Sequence, residues 1–232
     1  MPTLQVTQSV GDIAVQTPGA TRVFDKMGID FCCGGRKTLA QACQEKGLEV
    51  KTVLQALEEQ SRKPAVAAAP DPHWEKEPLQ KLMTHIVARH HQYVRGEVPR
   101  IEQSLEKTIT AHGARHPELQ QVRHTFAAMA SEMAQHMAKE ELILFPAIAR
   151  AETGQGGASL SAPVNMMMLE HDHSGRDLAA IRQASGDYTP PPDACATYRA
   201  LYQALEAFEA DLRQHVHLEN NILFPRALGL GA

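Results

Sequence analysis

The sequence has 232 residues with 23 basic and 27 acidic side chains, so its formal net charge is −4 when the twelve histidines are neutral. The basic residues are scattered, which argues against the concentrated positive surface that nucleic-acid binding needs. No apolar run approaches the roughly 20 residues of a membrane-spanning helix, and the first residues lack the basic and apolar regions of a signal peptide. We therefore expect a cytoplasmic protein without nucleic-acid or membrane partners.

The first part of the chain, residues 1–62, predicts a small helical domain. Turn residues separate its short helical segments, and Ser9 and Thr38 are suitable N-caps. The stretch 63–75 is rich in proline and alanine and predicts an interdomain linker, because prolines interrupt any helical pattern. About 60 residues bury only a marginal core, so we expect this domain to depend on another part of the protein for stability.

Two adjacent cysteines, Cys32 and Cys33, lie between an aromatic residue and two glycines. Neighbouring Cα atoms are about 3.8 Å apart, whereas a disulfide needs roughly 4.4 to 6.8 Å, so both residues are expected to be thiols. Two interpretations remain at this point. The loop either brings exchange thiols to another surface, or it is a turn that buries two small apolar side chains.

Residues 76–232 predict a four-helix bundle, which makes the fold class all-α. Strand signals are almost absent, and short connections separate four long helical patterns. The predicted helices cover approximately residues 76–111, 117–151, 163–185 and 193–227.

An internal repeat links the second and fourth of these helices. The pattern H-x-x-x-E-x-x-I-L-F-P begins at His136 and again at His215, 79 residues later. In each copy the histidine and the glutamate, Glu140 or Glu219, lie on the apolar face. A buried carboxylate is heavily penalised without a counter-charge, and an imidazole and a carboxylate at i and i+4 can coordinate one ion.

The first and third helices each offer one further histidine, His85 and His171, near apolar residues. The total of four histidines and two glutamates is enough for two metal ions with both carboxylates bridging. The alternative is an internally paired polar network without an ion. Glu132 and Asp211 precede the repeat histidines by one turn and could orient them or relay protons.

The other histidines are expected at the surface or on a helix flank. They are His73, His90, His91, His112, His116, His124, His173 and His217. Pro146 and Pro225, which close the two repeats, are expected to kink or end their helices.

Taken together, the double-cysteine loop, "LMTHI", "LEHDHSG" and the two repeat segments resemble the Repair of Iron Centres family of iron-sulfur cluster repair proteins. The resemblance implies a double-cysteine domain joined to a hemerythrin-like bundle. It also implies a non-haem di-iron centre, with or without an oxo or hydroxo bridge, and a carboxylate near the metals at Glu170. The implied ligands are His85, His136, Glu140, His171, His215 and Glu219.

The family resemblance implies a cytoplasmic protein that restores iron-sulfur proteins damaged by oxidative or nitrosative stress, and its cysteine motif maps onto Cys32 and Cys33. Because four histidines and two glutamates already account for two metals, we predict that these two residues are exchange thiols. The mechanism of repair stays open between iron donation and handling of nitric oxide, and so does the question of whether the protein is an enzyme. A hemerythrin-like module that binds or senses oxygen or nitric oxide is the alternative, as is a nitric oxide reductase. The ligand types also suit manganese or zinc, so iron comes from the resemblance. A homodimer is left open.

Overall fold

The computed structural model describes residues 4–62, 73–155 and 159–230, so residues 63–72 of the predicted linker lie outside it. The described residues form helices joined by loops and turns, and their only β-type pairing is an isolated bridge between Ser9 and Thr38. The prediction of an all-α fold is confirmed. None of the described helices is long and apolar enough to cross a membrane.

The chain forms two compact units, Met1–Met83 with Arg213–Ala232, and Thr84–Leu212. The first unit contains four short helices before the undescribed segment. They are α1 Val10–Gln16, α2 Ala20–Lys26, α3 Leu39–Lys46 and α4 Val50–Arg62. Ser9 accepts a hydrogen bond from the Asp12 amide at the start of α1. Thr38 and Gln41 form a capping box at the start of α3, so both predicted caps are present.

Three of the four long helices are interrupted by a π turn, here numbered π1 to π3. In chain order the segments are α5 Leu79–Ile86, π1 Val87–His91, α6 Gln92–His112, α7 Glu118–Lys139, π2 Glu140–Leu144, α8 Phe145–Glu152, α9 Ser161–Ala184, α10 Ala196–Leu218, π3 Glu219–Leu223 and α11 Phe224–Gly229. Within the second unit α7 packs against both α6 and α9.

Neither repeat proline ends its helix, so that part of the expectation is wrong. The helix with Pro146 continues to Glu152, and the helix with Pro225 continues to Gly229. A proline lacks an N–H, and its ring collides with the carbonyl four residues earlier in an α-helix. The π turn before each proline widens the helix, and at π2 the Phe145 amide donates to the Glu140 carbonyl five residues back.

Four histidines that we expected near the surface are buried, namely His90, His91, His112 and His217. The expectation fails because each of them faces a partner from another segment, which its position on one helix does not reveal. His73, His124 and His173 are exposed as expected, and His116 is half-buried.

A buried carboxylate, Glu209 on α10, holds the loop that follows α9. The Tyr188 hydroxyl donates to it at 2.7 Å, and the Arg182 guanidinium donates at 3.0 Å. The guanidinium also lies 4.9 Å from the centre of the Tyr188 ring. Glu209 is 1% exposed, so its charge depends on these donors.

Replacing Arg182 by leucine should therefore destabilise the fold by about 2 to 3 kcal/mol, below the range for fully buried pairs because the guanidinium is partly exposed. Urea denaturation of the metal-free protein would measure the change. Arg199→Leu, at an exposed site on α10, is the matched control and should change stability by less than about 0.5 kcal/mol. Equal effects of the two substitutions would contradict the role given to Arg182.

Candidate metal centre

In the second unit, a fully buried carboxylate lies between two imidazoles. Glu140 is the first residue of π2, and its Oε1 is 3.4 Å from Nε2 of His136, one helical turn earlier. Its Oε2 is 3.4 Å from Nε2 of His91, the last residue of π1. The two oxygens therefore face two different histidines. This is the arrangement by which one carboxylate can serve two ions.

A third imidazole meets the same group from α9. His171 is fully buried, and its Nε2 is 3.0 Å from Nε2 of His136. One donor atom from each of His136, Glu140 and His171 lies within 4.8 Å of the other two. Ligands about 2.1 Å from a shared ion lie roughly 3.0 to 3.4 Å apart at tetrahedral or octahedral angles. The donor atoms and their spacing fit a divalent transition metal.

Carboxylates outside the group hold the far side of two of these rings. His136 Nδ1 is 2.8 Å from Glu170 Oε2, and His91 Nδ1 is 2.6 Å from Glu141 Oε1. Such pairs fix the tautomer and turn Nε2 towards the metal position.

A cation supports each of these outer carboxylates in turn. Lys139 binds Glu170, and Arg95 binds Glu141 at 2.7 Å. Burial acts to raise the pKa of both carboxyl groups, but the hydrogen bonds from the histidine and the cation outweigh it and hold each pKa below its usual value. Both carboxylates are therefore ionised at neutral pH, as the orienting role requires.

The first unit contains the second copy of the repeat. His215 Nε2 is 3.0 Å from Glu219 Oε1, both side chains are fully buried, and Glu219 opens π3 as Glu140 opens π2. Two positions after His215, burial lowers the pKa of His217 to about 4. Its ring is thus neutral at pH 7, and its Nδ1 accepts a hydrogen bond from the Asn221 amide at 2.8 Å.

On the first long helix, the structure brings His91 Nε2 to Glu140, and His85 stays a predicted ligand. His85 is half-buried, and its ring centre is 5.8 Å from that of His90. The prediction of His85 depends on a rotation of about 100° per residue along the whole helix. The π turn Val87–His91 changes the phase of the helix at this point. No residue in this segment predicts a π turn. The adjacent pair His90 and His91 is the one feature of the sequence that could have indicated a second candidate ligand here.

The three predicted supporting carboxylates have different surroundings. Glu170 binds His136 as described, whereas Asp211 binds His90 at 3.1 Å and Arg89 at 3.0 Å. Glu132 is exposed. The sequence does not predict the role of Glu141, because nothing in the repeat distinguishes it from an exposed helical glutamate.

The loop with the two cysteines is organised by Asp30. One oxygen of this carboxylate accepts hydrogen bonds from the backbone amides of Cys32 and Cys33, at 3.1 and 3.0 Å, and from the Cys32 thiol at 3.2 Å. The two sulfur atoms are 3.8 Å apart. A hydrogen bond with Cys33, reinforced by burial, raises the pKa of Cys32 well above its usual value. Cys32 therefore keeps its proton, and Cys33 is the half-buried member of the pair.

Comparison with known proteins identifies the family. The hemerythrin HHE cation-binding domain model matches residues 82–227, and the ScdA_N model, described as a domain of unknown function, matches residues 6–61. The iron-sulfur cluster repair protein YtfE of Pectobacterium carotovorum is 38% identical over 222 residues, which cover 95% of this chain and 96% of the relative. YtfE of Yersinia pseudotuberculosis is 39% identical over 225 residues, with the same coverage. The chain belongs to the YtfE family.

Membership of the YtfE family confirms the resemblance inferred from the motifs. The hemerythrin match makes the C-terminal part of the chain a cation-binding domain, and it includes every histidine and glutamate placed above. The ScdA_N match includes the loop with Cys32 and Cys33.

If Glu170 orients His136, replacing it by glutamine should lower metal affinity by roughly 10- to 100-fold while helicity stays unchanged. Competition with a chromophoric chelator would measure the affinity, and circular dichroism the helicity. Glu132→Gln on the exposed side of α7 is the matched control and should leave affinity unchanged. An equal loss in both variants would remove the special role of Glu170.

Proposed function

We propose that this protein repairs damaged iron-sulfur clusters in the cytoplasm by means of a di-iron centre in its hemerythrin domain. The relatives that match this chain over 96% of their own length are named iron-sulfur cluster repair proteins. The observation that carries the di-iron part is the buried Glu140 carboxylate, whose two oxygens face different imidazoles. Damaged iron-sulfur proteins are the partners that this function requires.

The ligand set that we propose takes four histidines and two glutamates. It keeps five of the residues expected from the sequence and takes His91 in place of His85 on the first long helix, because Nε2 of His91 lies 3.4 Å from Oε2 of Glu140. The proposed ligands are His91, His136, Glu140, His171, His215 and Glu219. Mixed imidazole and carboxylate ligation suits Fe(II) and leaves it exchangeable, since it lacks the soft thiolates that hold metals most tightly.

When bound, the two irons supply either metal for a depleted cluster or a centre that takes up nitric oxide or oxygen. The protein's own residues bury the ligands, orient His91 and His136 through Glu141 and Glu170, and keep bulk water from the carboxylate. The thiol loop favours repair over a simple module for oxygen binding. Binding a diatomic gas at a metal needs no adjacent thiols, whereas thiolates are ligands for iron and suit its exchange with a cluster.

The ligand assignment is testable on the first long helix. His91→Ala should lower the iron content from two per chain to one or fewer, because it removes the imidazole that faces Oε2 of Glu140. His85→Ala, six residues earlier on the same helix, is the matched control and should keep both irons. Iron analysis and Mössbauer spectra after anaerobic reconstitution would measure this. Loss of iron from the His85 variant alone would restore the assignment made from the sequence.

The exchange role of the thiols is testable separately. Cys33→Ser and the double variant of Cys32 and Cys33 should keep two irons, since the proposed ligands need no sulfur. Both should be impaired in restoring a nitric-oxide-damaged iron-sulfur enzyme in a reconstituted assay. Cys195→Ser, at an exposed cysteine, is the control. Repair at the unmodified rate would make the loop a structural turn, and loss of iron would make the thiols part of the metal site.

A further inference from the structure

At three of the positions where the two copies of the repeat differ, the second copy has polar side chains that lie near the thiol loop in the first unit. The second copy keeps the histidine, the glutamate and the closing I-L-F-P of the first, so the differences stand out against a shared framework. The residues Ala138, Glu141 and Leu142 of the first copy are replaced by His217, Asn220 and Asn221 in the second. The whole chain contains three asparagines, and two of them are here.

Both asparagines donate to the backbone of the thiol loop. The Asn221 side-chain amide donates to the Phe31 carbonyl at 2.9 Å, and the Asn220 amide donates to the Cys32 carbonyl at 3.3 Å. Buried carbonyls in an irregular loop have no helix or sheet partner, so side-chain donors must satisfy them. These bonds hold the two residues that immediately precede Cys33.

The packing around Asn221 leaves little room for movement. A Cβ atom on Gly11 would lie 2.6 Å from the Asn221 side-chain oxygen, and one on Gly35 would lie 2.7 Å from it. The Gly11 amide donates to the Gly35 carbonyl at 2.8 Å, which joins α1 to the loop at the same point. Two backbones can approach the asparagine this closely because both residues are glycines.

The equivalent position in the first repeat provides a comparison within the molecule. Leu142, the counterpart of Asn221, is 78% exposed. Asn221 is partly covered by the loop, and the neighbouring Phe31 ring lies edge-on to His217, with the ring centres 5.5 Å apart. The second copy thus carries amide donors at the place where the thiol loop lies against it.

We propose that Asn221, assisted by Asn220, is a positioning residue that fastens the thiol loop to the turn that carries Glu219, and thereby sets the accessibility of Cys33. Glu219, Asn220 and Asn221 are consecutive in π3, so one turn faces His215 with its first residue and the loop with the next two. The functional meaning of this contact depends on the proposed repair function. It places the exchange thiol at a fixed position relative to a proposed ligand of the di-iron centre.

The test measures alkylation of individual cysteines by iodoacetamide in the full-length, iron-loaded protein, with mass spectrometry of the peptides. Asn221→Ala removes the amide and its volume, whereas Asn221→Leu keeps the volume and restores the residue of the first repeat. Asn165→Ala, at an exposed site on α9, is the control. Cys195 is exposed, so its alkylation rate corrects for differences in reagent activity. Cys43 is buried, so its alkylation reports unfolding of the protein.

In both Asn221 variants, the alkylation rate of Cys33 relative to that of Cys195 should rise roughly tenfold. The reason is that losing one hydrogen bond raises the population of the open loop by about that factor. The reactivity of Cys43 and the iron content should stay at their unmodified values. A wild-type rate in both variants would overturn the proposal. A wild-type rate in Asn221→Leu alone would also overturn it, because packing without the amide would then be sufficient.

Global unfolding would be recognised by faster alkylation of Cys43 together with Cys33, and such a result would count against a local role. If Asn221 variants fail to fold, Asn220→Ala offers a milder change that should raise Cys33 alkylation in the same direction. The repair assay separates the two proposals. Wild-type protein that fails to repair would refute the proposed function, while the alkylation rates would still decide the role of Asn221.

Discussion

The burial of a carboxylate inside a helical core is the constraint on which the rest of this structure depends. Glu140 is fully buried, and removing its charge from water costs several kcal/mol unless cations or strong donors surround it. The imidazole of His136, one turn earlier on the same helix, meets one of its oxygens, and the imidazole of His91 from another helix meets the other. Outer carboxylates hold those imidazoles, and lysine or arginine holds the outer carboxylates. Carboxylates therefore alternate with imidazoles or cationic side chains from the core outward, and a cation bound at the centre would compensate the buried charge of Glu140.

Three π turns place the groups that this arrangement needs. Each of them begins or ends at a residue that we propose as a ligand, and two of them precede a proline that would disrupt an ordinary helix. The wider turn lets neighbouring side chains reach different targets. In π2, Glu140 faces the core while Glu141 binds the outer nitrogen of His91. π turns cost helical hydrogen-bond geometry, so their recurrence at these positions fits a functional requirement better than a packing accident.

The two copies of the internal repeat share a proposed ligand pair but contact different parts of the protein. Both copies retain the histidine and the glutamate that the proposed centre needs, so the ligand positions are constrained alike. The residues after the glutamate are not constrained in this way, and there the copies differ. The first copy supports an imidazole through Glu141, whereas the second supports the thiol loop through Asn220 and Asn221. The residues that follow the proposed ligand pair therefore have different structural roles in the two copies.

Much of this protein follows from the sequence by itself. Helical periodicity predicts the four long helices, and the repeat predicts His136, Glu140, His215 and Glu219 as buried pairs, because the i to i+4 relation holds within one helical turn. The double-cysteine motif predicts thiols, since adjacent residues are too close to bridge.

Only the tertiary structure decided that His91 of the first long helix faces Glu140, and that Glu141, Asn220 and Asn221 bind groups from distant segments. A sequence shows the phase of a helix only while the helix stays regular, and the π turn at Val87–His91 breaks that phase. Contacts across 50 residues, as between His91 and Glu141, or across 190, as between Phe31 and Asn221, depend on packing that no local pattern encodes.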